Sequence, residues 1–483
     1  MKWILVFEIA YVLFIITVCL RIIYDTRSVS KTLAYLLLAV FLPVIGVIIY
    51  FSFGINYRVR KIYNKKIISD EIQLQRVTSS IMKSSEKTIG EMSPSFQKFK
   101  KMTQLLLNSN TSGLTGNNEV KLLINGEQKF PEVIQALREA KHHIHLEYYI
   151  FEDEKIGNEI KDILIEKALA GVQVRFIYDD FGSRSIRKKL VPALKKAGVQ
   201  AFPFYKVIFI ALANRLNYRN HRKIIIIDGN IAFTGGINIS DRYINDPKYN
   251  DKLFWRDTHL KIKGTGVHYL QHLFISDWNF CAEEDLAIQP EFFDFTNNPA
   301  GKVDLQIAAS GPDSDHPTIL LNLIQAIGMA DQEILITSPY FIPGISLLDA
   351  LYVAALSGVK IKLLVPFQSD SVWVAAAARS YYQELLDVGV EIYQYQKGFI
   401  HAKTMVIDEQ LSFIGTANMD ERSFELNFEV NTVVYDDEIA KQLKAAFEED
   451  LEVSKIIDAN VWTARSAWVQ LPEKIARLLS PLL

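Results

Sequence analysis

Four polar residue types recur at the same spacing in two stretches of the chain. One stretch runs from His221 to Asn238 and the other from His401 to Asn418, and both read H-x-K-x4-D-x6-G-[GT]-x-N. The two copies begin 180 residues apart and agree at every fixed position. Such a match indicates an internal duplication, whereas one copy alone would be a weak signal.

Phosphoryl transfer is the chemistry that two histidines and two lysines suit. An imidazole can act as a nucleophile or as an acid near neutral pH, and ammonium groups stabilise charge on phosphate oxygens. A lone His-x-Lys pair on a strand would more often be structural. The matched second copy makes His221, Lys223, His401 and Lys403 candidate catalytic residues.

The residues around the motifs predict short buried strands. The runs 224–227 and 405–407 are apolar and flanked by polar residues. On a strand the histidine and the lysine of each motif face the same side, because they are two residues apart. Asp228 and Asp408 fall at an odd offset, so they receive no proton-transfer role. The glycines at 235, 236 and 415 allow a tight backbone, after which Asn238 and Asn418 offer amides near the same site.

At these motifs the chain resembles the phospholipase D superfamily, and the resemblance extends from about residue 119 to the end. It implies that two motifs meet at a pseudo-twofold interface, that one histidine attacks phosphorus to give a phosphohistidine, and that the other protonates the leaving alkoxide. It also implies that neither a metal nor another cofactor is needed. The residues that it assigns to catalysis are His221, Lys223, Asp228, His401, Lys403 and Asp408.

An internal alignment adds two acidic candidates. It sets Asp257, in Trp-Arg-Asp-Thr-His, against Glu429, in Asn-Phe-Glu-Val-Asn, so that a carboxylate enters the corresponding strand of each half. An imidazole that presents one nitrogen to phosphorus needs the other held, commonly by a carboxylate. Asp257 and Glu429 are therefore candidates for orienting the histidines. An ordinary strand-end carboxylate is the alternative.

The elements that carry these residues alternate between strands and helices. Residues 143–178 match residues 333–365 in this order, and a further helix end and strand follow in each half. The pattern predicts a mostly parallel sheet covered by helices in each half. We expect two pseudo-twofold-related α/β domains, 119–300 and 301–483, the second with a C-terminal amphipathic segment.

The first 60 residues are predicted to form a membrane hairpin. Trp3–Leu20 contains one charge and Leu33–Phe53 contains none, and each is long enough to cross a hydrocarbon core. A signal peptide is the alternative for the first run, but no small-residue cleavage pattern precedes Arg21. Basic residues number six outside the connecting loop and three near it, which places both ends in the cytoplasm. A charged connector, 61–118, follows.

Composition limits the range of functions. The formal net charge is −2 and the hydrophobic content is 49%, which argues against disorder and against binding of nucleic acid. The two cysteines, Cys19 and Cys281, form no disulfide framework. Neither the oligomeric state nor the regulation of the protein can be predicted.

The membrane runs, the connector, the sequence around Trp255-Arg-Asp and the C-terminus together resemble bacterial cardiolipin synthases. The resemblance implies transfer of a phosphatidyl group from one phosphatidylglycerol to another, with release of glycerol. By analogy with the superfamily, His221 is the nucleophile and His401 is the acid and then the base. A hydrolytic phospholipase D or another phosphatidyltransferase is the closest alternative. A membrane-tethered nuclease and a catalytically silent scaffold are more remote.

Two apolar stretches lie outside these motifs. Residues 207–213 form an apolar run in a segment that the second half lacks, followed by Arg215 and Arg219 on the approach to His221. We expect this run to be either a core helix or a lipid entrance at which the arginines meet the phosphate. The segment 461–483, with two tryptophans and three cations, is expected either to pack on the second domain or to lie at the bilayer surface.

Overall fold

Two similar α/β halves share one continuous β-sheet. The computed structural model describes residues 2–26, 29–51, 84–92, 94–110, 112–205, 218–248, 253–282, 286, 289–293, 300–478 and 480. The described N-terminal residues include α1 (Lys2–Asp25), α2 (Val29–Phe41) and α3 (Pro43–Ile49). A 3-10 helix (Pro94–Phe99) and α4 (Lys100–Asn110) lead into the sheet.

The first half follows the predicted alternation of strands and helices, with two short 3-10 turns, Arg184–Arg187 and Asp241–Tyr243. In chain order its elements are β1 (Thr115–Ile124), α5 (Asn125–Glu139), β2 (His143–Tyr148), α6 (Lys155–Leu169), β3 (Gln173–Tyr178), α7 (Leu190–Lys196), β4 (Gln200–Pro203), β5 (Lys223–Ile227), β6 (Ile231–Gly235), β7 (Phe254–Arg256), β8 (Thr258–Lys263) and α8 (Val267–Ala282).

The second half begins after a 3-10 turn at Pro290–Phe292. Its elements are β9 (Val303–Ser310), α9 (Thr318–Ile327), β10 (Glu333–Thr337), β11 (Phe341–Ile342), α10 (Gly344–Leu356), β12 (Lys360–Pro366), α11 (Val372–Asp387), β13 (Glu391–Tyr395), β14 (Gly398–Ile400), β15 (Thr404–Ile407), β16 (Leu411–Gly415), β17 (Met419–Asp420), α12 (Glu421–Glu425), β18 (Glu429–Tyr435), α13 (Asp437–Glu452), β19 (Ser454–Ile456), α14 (Ala459–Thr463) and α15 (Ala467–Arg477).

The sheet has 15 strands in the order β19-β13-β12-β10-β15-β16-β18-β9-β1-β8-β6-β5-β2-β3-β4. The halves join where β1 pairs with β9 in antiparallel orientation. The prediction of a mostly parallel sheet is wrong. Only β2-β3-β4 and β10-β12-β13 are parallel within it, and the neighbouring pairs are antiparallel.

The turn at the end of each motif explains why much of the sheet is antiparallel. Asp228 and Asp408 adopt positive φ angles of 51° and 52°, and each begins a tight turn that reverses the chain directly into the next strand. β5 therefore pairs with β6, and β15 with β16, as antiparallel hairpins. A connection this short can join antiparallel strands but not parallel ones.

Each half has its own apolar core, and a further core joins the two halves. One lies within the first half and includes Phe130, Leu146 and Phe176, and another lies within the second half. The third contains residues of both halves, among them Ile224 and Phe428, and includes apolar residues of α8 and α13. Since this shared core runs beneath β5 and β18, it fixes the two motifs relative to each other.

The N-terminal region agrees only in part with the predicted hairpin. Within the described residues one helix, Trp3–Asp25, is long and apolar enough to cross a membrane, with a mean hydropathy of 2.5. The predicted second span is not one helix, because it is interrupted at Leu42 and restarts at Pro43. A Cβ at Gly46 would overlap the backbone of Leu38, so α3 folds back on α2. The two-helix hairpin is not confirmed.

The end of the predicted connector is part of the second half. Phe99, Met102 and Leu106 are buried in its core, and Lys98 forms ion pairs with Asp331 and Asp408. The apolar residues of this stretch cover the second half, while residues 61–83 lie outside the described part of the chain.

Candidate active site

Each candidate histidine, His221 or His401, enters the site on a segment that pairs with the other half. β14, which ends at Ile400, pairs in parallel with β7, and the backbone N–H of His401 donates to the carbonyl of Arg256 (2.7 Å). In the other half Asn220 forms a parallel bridge with Phe428, and the N–H of His221 donates to the carbonyl of Phe428 (2.9 Å). Both motifs therefore open at the junction between the halves.

The two predicted carboxylates contact the histidines across this junction. His221 Nδ1 lies 2.9 Å from Glu429 Oε2, and His401 Nδ1 lies 2.7 Å from Asp257 Oδ2. A carboxylate can only accept, so each Nδ1 carries the proton and each Nε2 remains available. Each half thus supplies the carboxylate for the histidine of the other half.

The surroundings of the carboxylates differ between the halves. Glu429 Oε2 also accepts from the hydroxyl of Thr416 (2.5 Å), and its Oε1 accepts from the Asn427 amide (3.2 Å). Asp257 Oδ1 accepts from the backbone N–H of Thr258 (2.7 Å). A Cβ at Gly236 would overlap the Asp257 carboxylate, which gives this glycine a physical reason in the motif.

The two lysines lie beneath the histidines. Lys223 Nζ donates to the carbonyl of His221 (2.8 Å), and Lys403 Nζ donates to the carbonyl of His401 (2.5 Å). Burial lowers the pKa of Lys223 to about 7 and that of Lys403 to about 8, against the opposing charges of Glu429 and Asp257. Lys403 also lowers the pKa of Lys223 and of His401, and Lys223 lowers the pKa of His221. Positive charge is therefore concentrated here.

The histidines respond to the same environment. Burial lowers the pKa of His221 from its usual value, with the charge of Glu429 opposing the shift. Burial and the neighbouring Lys403 lower the pKa of His401 to about 3, against the charge of Asp257. An anion held among these groups would raise all four pKa values, because it stabilises their charged forms. The site is therefore suited to a negatively charged group such as a phosphodiester.

The two motif aspartates lie at the far ends of their strands. Asp228 accepts hydrogen bonds from the backbone N–H groups of Lys141, His142 and His143. Asp408 does the same for residues 331–333 and also accepts from Lys98 Nζ. These contacts fix the turn before the adjacent strand in each half. The geometry supports a structural contribution and gives the two aspartates no direct contact with His221 or His401.

The asparagines lie at the site but already have partners. Asn238 donates to the Tyr243 hydroxyl (2.7 Å) and accepts from the N–H of Ile150 (3.3 Å). Asn418 donates to Asp420, and its Oδ1 is buried without a hydrogen-bond partner in the described part of the chain. Each amide keeps a second N–H, so phosphate binding by these residues stays a prediction.

Of the two predicted arginines, only Arg219 is described. Its guanidinium lies 4.1 Å from the centre of the Phe181 ring, and the Asp179 carboxylate opposes the lowering of its pKa by burial. Arg215 and the apolar run 207–213 lie outside the described residues. Phosphate binding by the arginines stays a prediction.

Aromatic side chains beside the two histidines were not predicted from the sequence. The Tyr149 ring lies 4.7 Å from the His221 ring, and the Trp255 ring lies 5.6 Å from the His401 ring. Tyr243, which lies in the first half like Trp255, approaches His401 with its hydroxyl 3.5 Å from Nδ1. A signal was present for two of them, since Tyr149 directly follows β2 and Trp255 lies two residues before Asp257.

Comparison with known proteins identifies the family. A sequence profile described as "Cardiolipin synthase, PLD-like domain" matches residues 133–278 and 323–451, and one described as "Phospholipase_D-nuclease N-terminal" matches residues 9–54. The chain is 40% identical to the major cardiolipin synthase ClsA of Bacillus subtilis, over 97% of this chain and 98% of that protein. It is 41% identical to a cardiolipin synthase of Geobacillus sp. (strain WCH70), over 95% and 90%.

A solved structure supports the fold. The phosphatidylserine synthase of Haemophilus influenzae is 14% identical and aligns with a TM-score of 0.61, over 79% of this chain and all of that one. This likeness concerns the fold alone. The predicted membership of the phospholipase D superfamily and the predicted pair of repeated α/β domains are confirmed. The chain therefore belongs to the cardiolipin synthase family of phospholipase D-like proteins.

Proposed function

We propose that this protein is a cardiolipin synthase that moves a phosphatidyl group from one phosphatidylglycerol to the terminal hydroxyl of another, in the membrane that contains both. The observation that carries the proposal is the pair of crossed contacts, His221 with Glu429 and His401 with Asp257. Two imidazoles with their Nε2 atoms available, above two buried lysines, can divide one displacement at phosphorus into two.

In the first step His221 Nε2 attacks the donor phosphorus. The bond from phosphorus to the glycerol oxygen breaks, and His401 gives its Nε2 proton to that oxygen, so glycerol leaves. Lys223 and Lys403 hold the non-bridging oxygens, and their ammonium groups offset the charge that develops there. In the proposed arrangement Glu429 stabilises the phosphohistidine and Asp257 stabilises the protonated His401.

In the second step the acceptor hydroxyl loses its proton to His401 and its oxygen attacks phosphorus. The bond from phosphorus to His221 breaks, and cardiolipin is released. Phosphorus is inverted twice, so the product retains the configuration of the donor. Buried Asn238, Asn418 and Arg219 are proposed to complete the phosphate-binding site.

The proposed boundary between the two domains is at residue 300.

Product analysis tests this proposal. Purified protein in phosphatidylglycerol vesicles is expected to form cardiolipin and glycerol in equal amounts, and a His221→Asn variant is expected to form neither. Phosphatidic acid as the main product would instead assign a hydrolytic phospholipase. Acid-labile phosphate retained on the His221→Asn protein would contradict the choice of nucleophile.

The number of membrane crossings is a finer part of the proposal. The predicted hairpin puts both ends, and the catalytic domains, on the cytoplasmic side, with residues 21–31 outside. Lys31 Nζ, however, lies 2.9 Å from Glu425 and 3.3 Å from Glu421 on α12, which favours residue 31 on the catalytic side. An Arg27→Cys variant in a Cys19→Ser, Cys281→Ser background decides between them. Labelling by an impermeant thiol reagent added outside the cell supports two crossings, and labelling only after permeabilisation supports one.

A further inference from the structure

The last helix, α15, turns its apolar face away from the protein. Trp468, Leu471, Ile475 and Leu478 are spaced three or four residues apart, so they lie on one side of the helix. Trp468 is 83% exposed and Leu478 is 78% exposed, and the other two are about half exposed. A helix of a water-soluble domain normally buries such a stripe.

The polar side of α15 is the side that packs. Glu473 is buried and accepts hydrogen bonds from Arg379 of α11 (2.9 Å) and from Arg465 (3.0 Å). Arg477 forms an ion pair with Glu384 of α11, and Ala476, on the same side, is completely buried. These contacts fix the rotation of the helix, so its apolar stripe is held outward by ion pairs beneath it.

A groove beside α15 extends toward the candidate active site. Arg379, which holds Glu473, lines a groove together with Pro339, Pro366 and Phe367. Phe367 and, at the start of α11, Val372 and Trp373 are exposed apolar residues. The groove therefore leads from the base of α15 toward the end of β10.

From that end the aromatic side chains continue to the histidine. Tyr340 donates its hydroxyl to Asp370 (2.6 Å), and its ring lies 6.5 Å from the ring of Phe399. The Phe399 ring in turn lies 5.9 Å from that of His401. A series of ring contacts thus connects the end of the groove with one wall of the site.

We propose that α15 and the start of α11 rest in the interface of the phospholipid bilayer and seat the catalytic entrance on the membrane surface. The inference deepens the proposed function, because it assigns the surface through which a membrane lipid approaches. A tryptophan and an exposed lysine, Trp468 and Lys474, suit the depth of the headgroups, and the lysine complements anionic phosphatidylglycerol.

A second copy of the chain fits this face less well. Four side chains on one short helix cannot supply the roughly 800 Å² per partner that a stable dimer buries. The protein also contains α1, an apolar helix of membrane-spanning length that already places the chain at a bilayer. A bilayer covers a narrow apolar stripe without requiring a complementary protein surface.

Quenching of tryptophan fluorescence by lipids tests the proposal directly. The full chain is placed in nanodiscs whose phosphatidylglycerol carries bromine on its acyl chains. Trp468→Phe is expected to remove part of the quenched emission. The matched control is Trp462→Phe, because the Trp462 ring packs under Arg465 and beside Tyr382, and this control is expected to leave the quenched emission unchanged. Quenching that is unaltered by Trp468→Phe, or a Trp468 emission that aqueous acrylamide quenches in the nanodisc, would overturn the proposal.

Activity on two substrates gives an independent test. Leu471→Glu with Ile475→Glu is expected to reduce activity on bilayer phosphatidylglycerol about tenfold and to leave activity on a dispersed short-chain analogue within about twofold. Leu169→Glu is the control, since Leu169 is an exposed apolar residue on a helix of the first half, and it should affect neither substrate. An equal loss on both substrates, or no loss on either, would contradict the proposal.

If wild-type protein forms no cardiolipin but the Trp468 quenching is as expected, the docking surface stands and the proposed function fails.

Discussion

In the first half Gly236 leaves room for the short carboxylate of Asp257, whereas in the second half Thr416 occupies the matching position and donates its hydroxyl to the longer Glu429. Both arrangements hold the Nδ1 atom of a histidine within 2.9 Å of a carboxylate oxygen. The duplicated halves have therefore kept one geometry while changing the residues that produce it. A threonine placed alone at position 236 should therefore fail, because the Asp257 carboxylate occupies the space that its side chain needs.

A second difference lies between the histidine and the lysine of each motif. The intervening residue is Arg222 in the first half, where its guanidinium forms a buried ion pair with Asp277. In the second half it is Ala402, which is buried among apolar side chains. One motif is thus supported by charge and the other by packing. Removing one partner of a buried ion pair leaves the other charge uncompensated, so Arg222 is the less replaceable of the two.

The largest effect is expected from copying the second half into the first. Gly236→Thr adds a side chain where Asp257 lies, so the carboxylate must move and His401 loses its orientation. We expect turnover to fall about 10²-fold or more with little change in KM. The matched control is Thr416→Gly, which creates space instead of a clash and should cost much less. Steady-state kinetics on both variants checks the comparison, and near-normal turnover of Gly236→Thr would contradict it.

The two lysines make the next comparison. Their pKa values of about 7 and 8 mean that both lose charge as the pH rises through this range, so phosphate binding should weaken about tenfold or more between pH 8 and pH 9. The measurement is the affinity of a His221→Asn variant for an unreactive phosphonate analogue. Lys223→Met removes a positive neighbour of Lys403 and should shift its titration to higher pH. An affinity that stays constant up to pH 9 would contradict this expectation.

A smaller effect is expected at Thr416. Thr416→Val removes one donor to Glu429 and keeps the shape of the side chain, so the rate should fall about threefold to tenfold, the equivalent of roughly 1 kcal/mol. The first half has no counterpart to this hydroxyl, because glycine stands there. An unchanged rate in Thr416→Val would show that the longer carboxylate does not need this donor.

The smallest effect on turnover is expected at the motif aspartates. Asp228→Asn and Asp408→Asn weaken hydrogen bonds to three backbone N–H groups in each half, so each should destabilise the fold by about 1–3 kcal/mol. Asp408 also loses its ion pair with Lys98, so its variant should have the lower unfolding temperature. Thermal unfolding and turnover are measured on the same samples. A large loss of turnover without a change in unfolding temperature would return these residues to catalysis.

Much of the site could be predicted from sequence because its information is local. The spacing of His221 and Lys223, with the apolar residues that follow, indicated a short buried strand, and the second copy supplied the same arrangement. The structure places His221 and His401 at matching positions, two residues before the start of β5 and three before the start of β15. The internal alignment also identified Asp257 and Glu429 as a matched pair, although it did not show which histidine each one contacts.

The remainder depends on contacts between distant residues. The crossed pairs join residues 144 and 208 positions apart, and no local pattern states which half supplies a partner. The mostly parallel sheet was predicted wrongly because the alternation of strands and helices outweighed the tight turn at Asp228. The outward face of α15 was undecidable from amphipathicity alone, since the pattern shows that two faces differ but not which face packs.

The crossed arrangement is tested most directly by trapping the phosphoenzyme. A phosphatidyl donor with a nitrophenol leaving group needs little acid assistance, so its first step reports mainly on the nucleophile. Labelled protein is quenched and digested, and the phosphohistidine is located by mass spectrometry, for Glu429→Gln and Asp257→Asn in parallel. We predict that the label is on His221, that Glu429→Gln slows its formation about 10²-fold or more, and that Asp257→Asn leaves it nearly unchanged. A label on His221 whose formation is slowed by Asp257→Asn and not by Glu429→Gln would contradict the crossed arrangement.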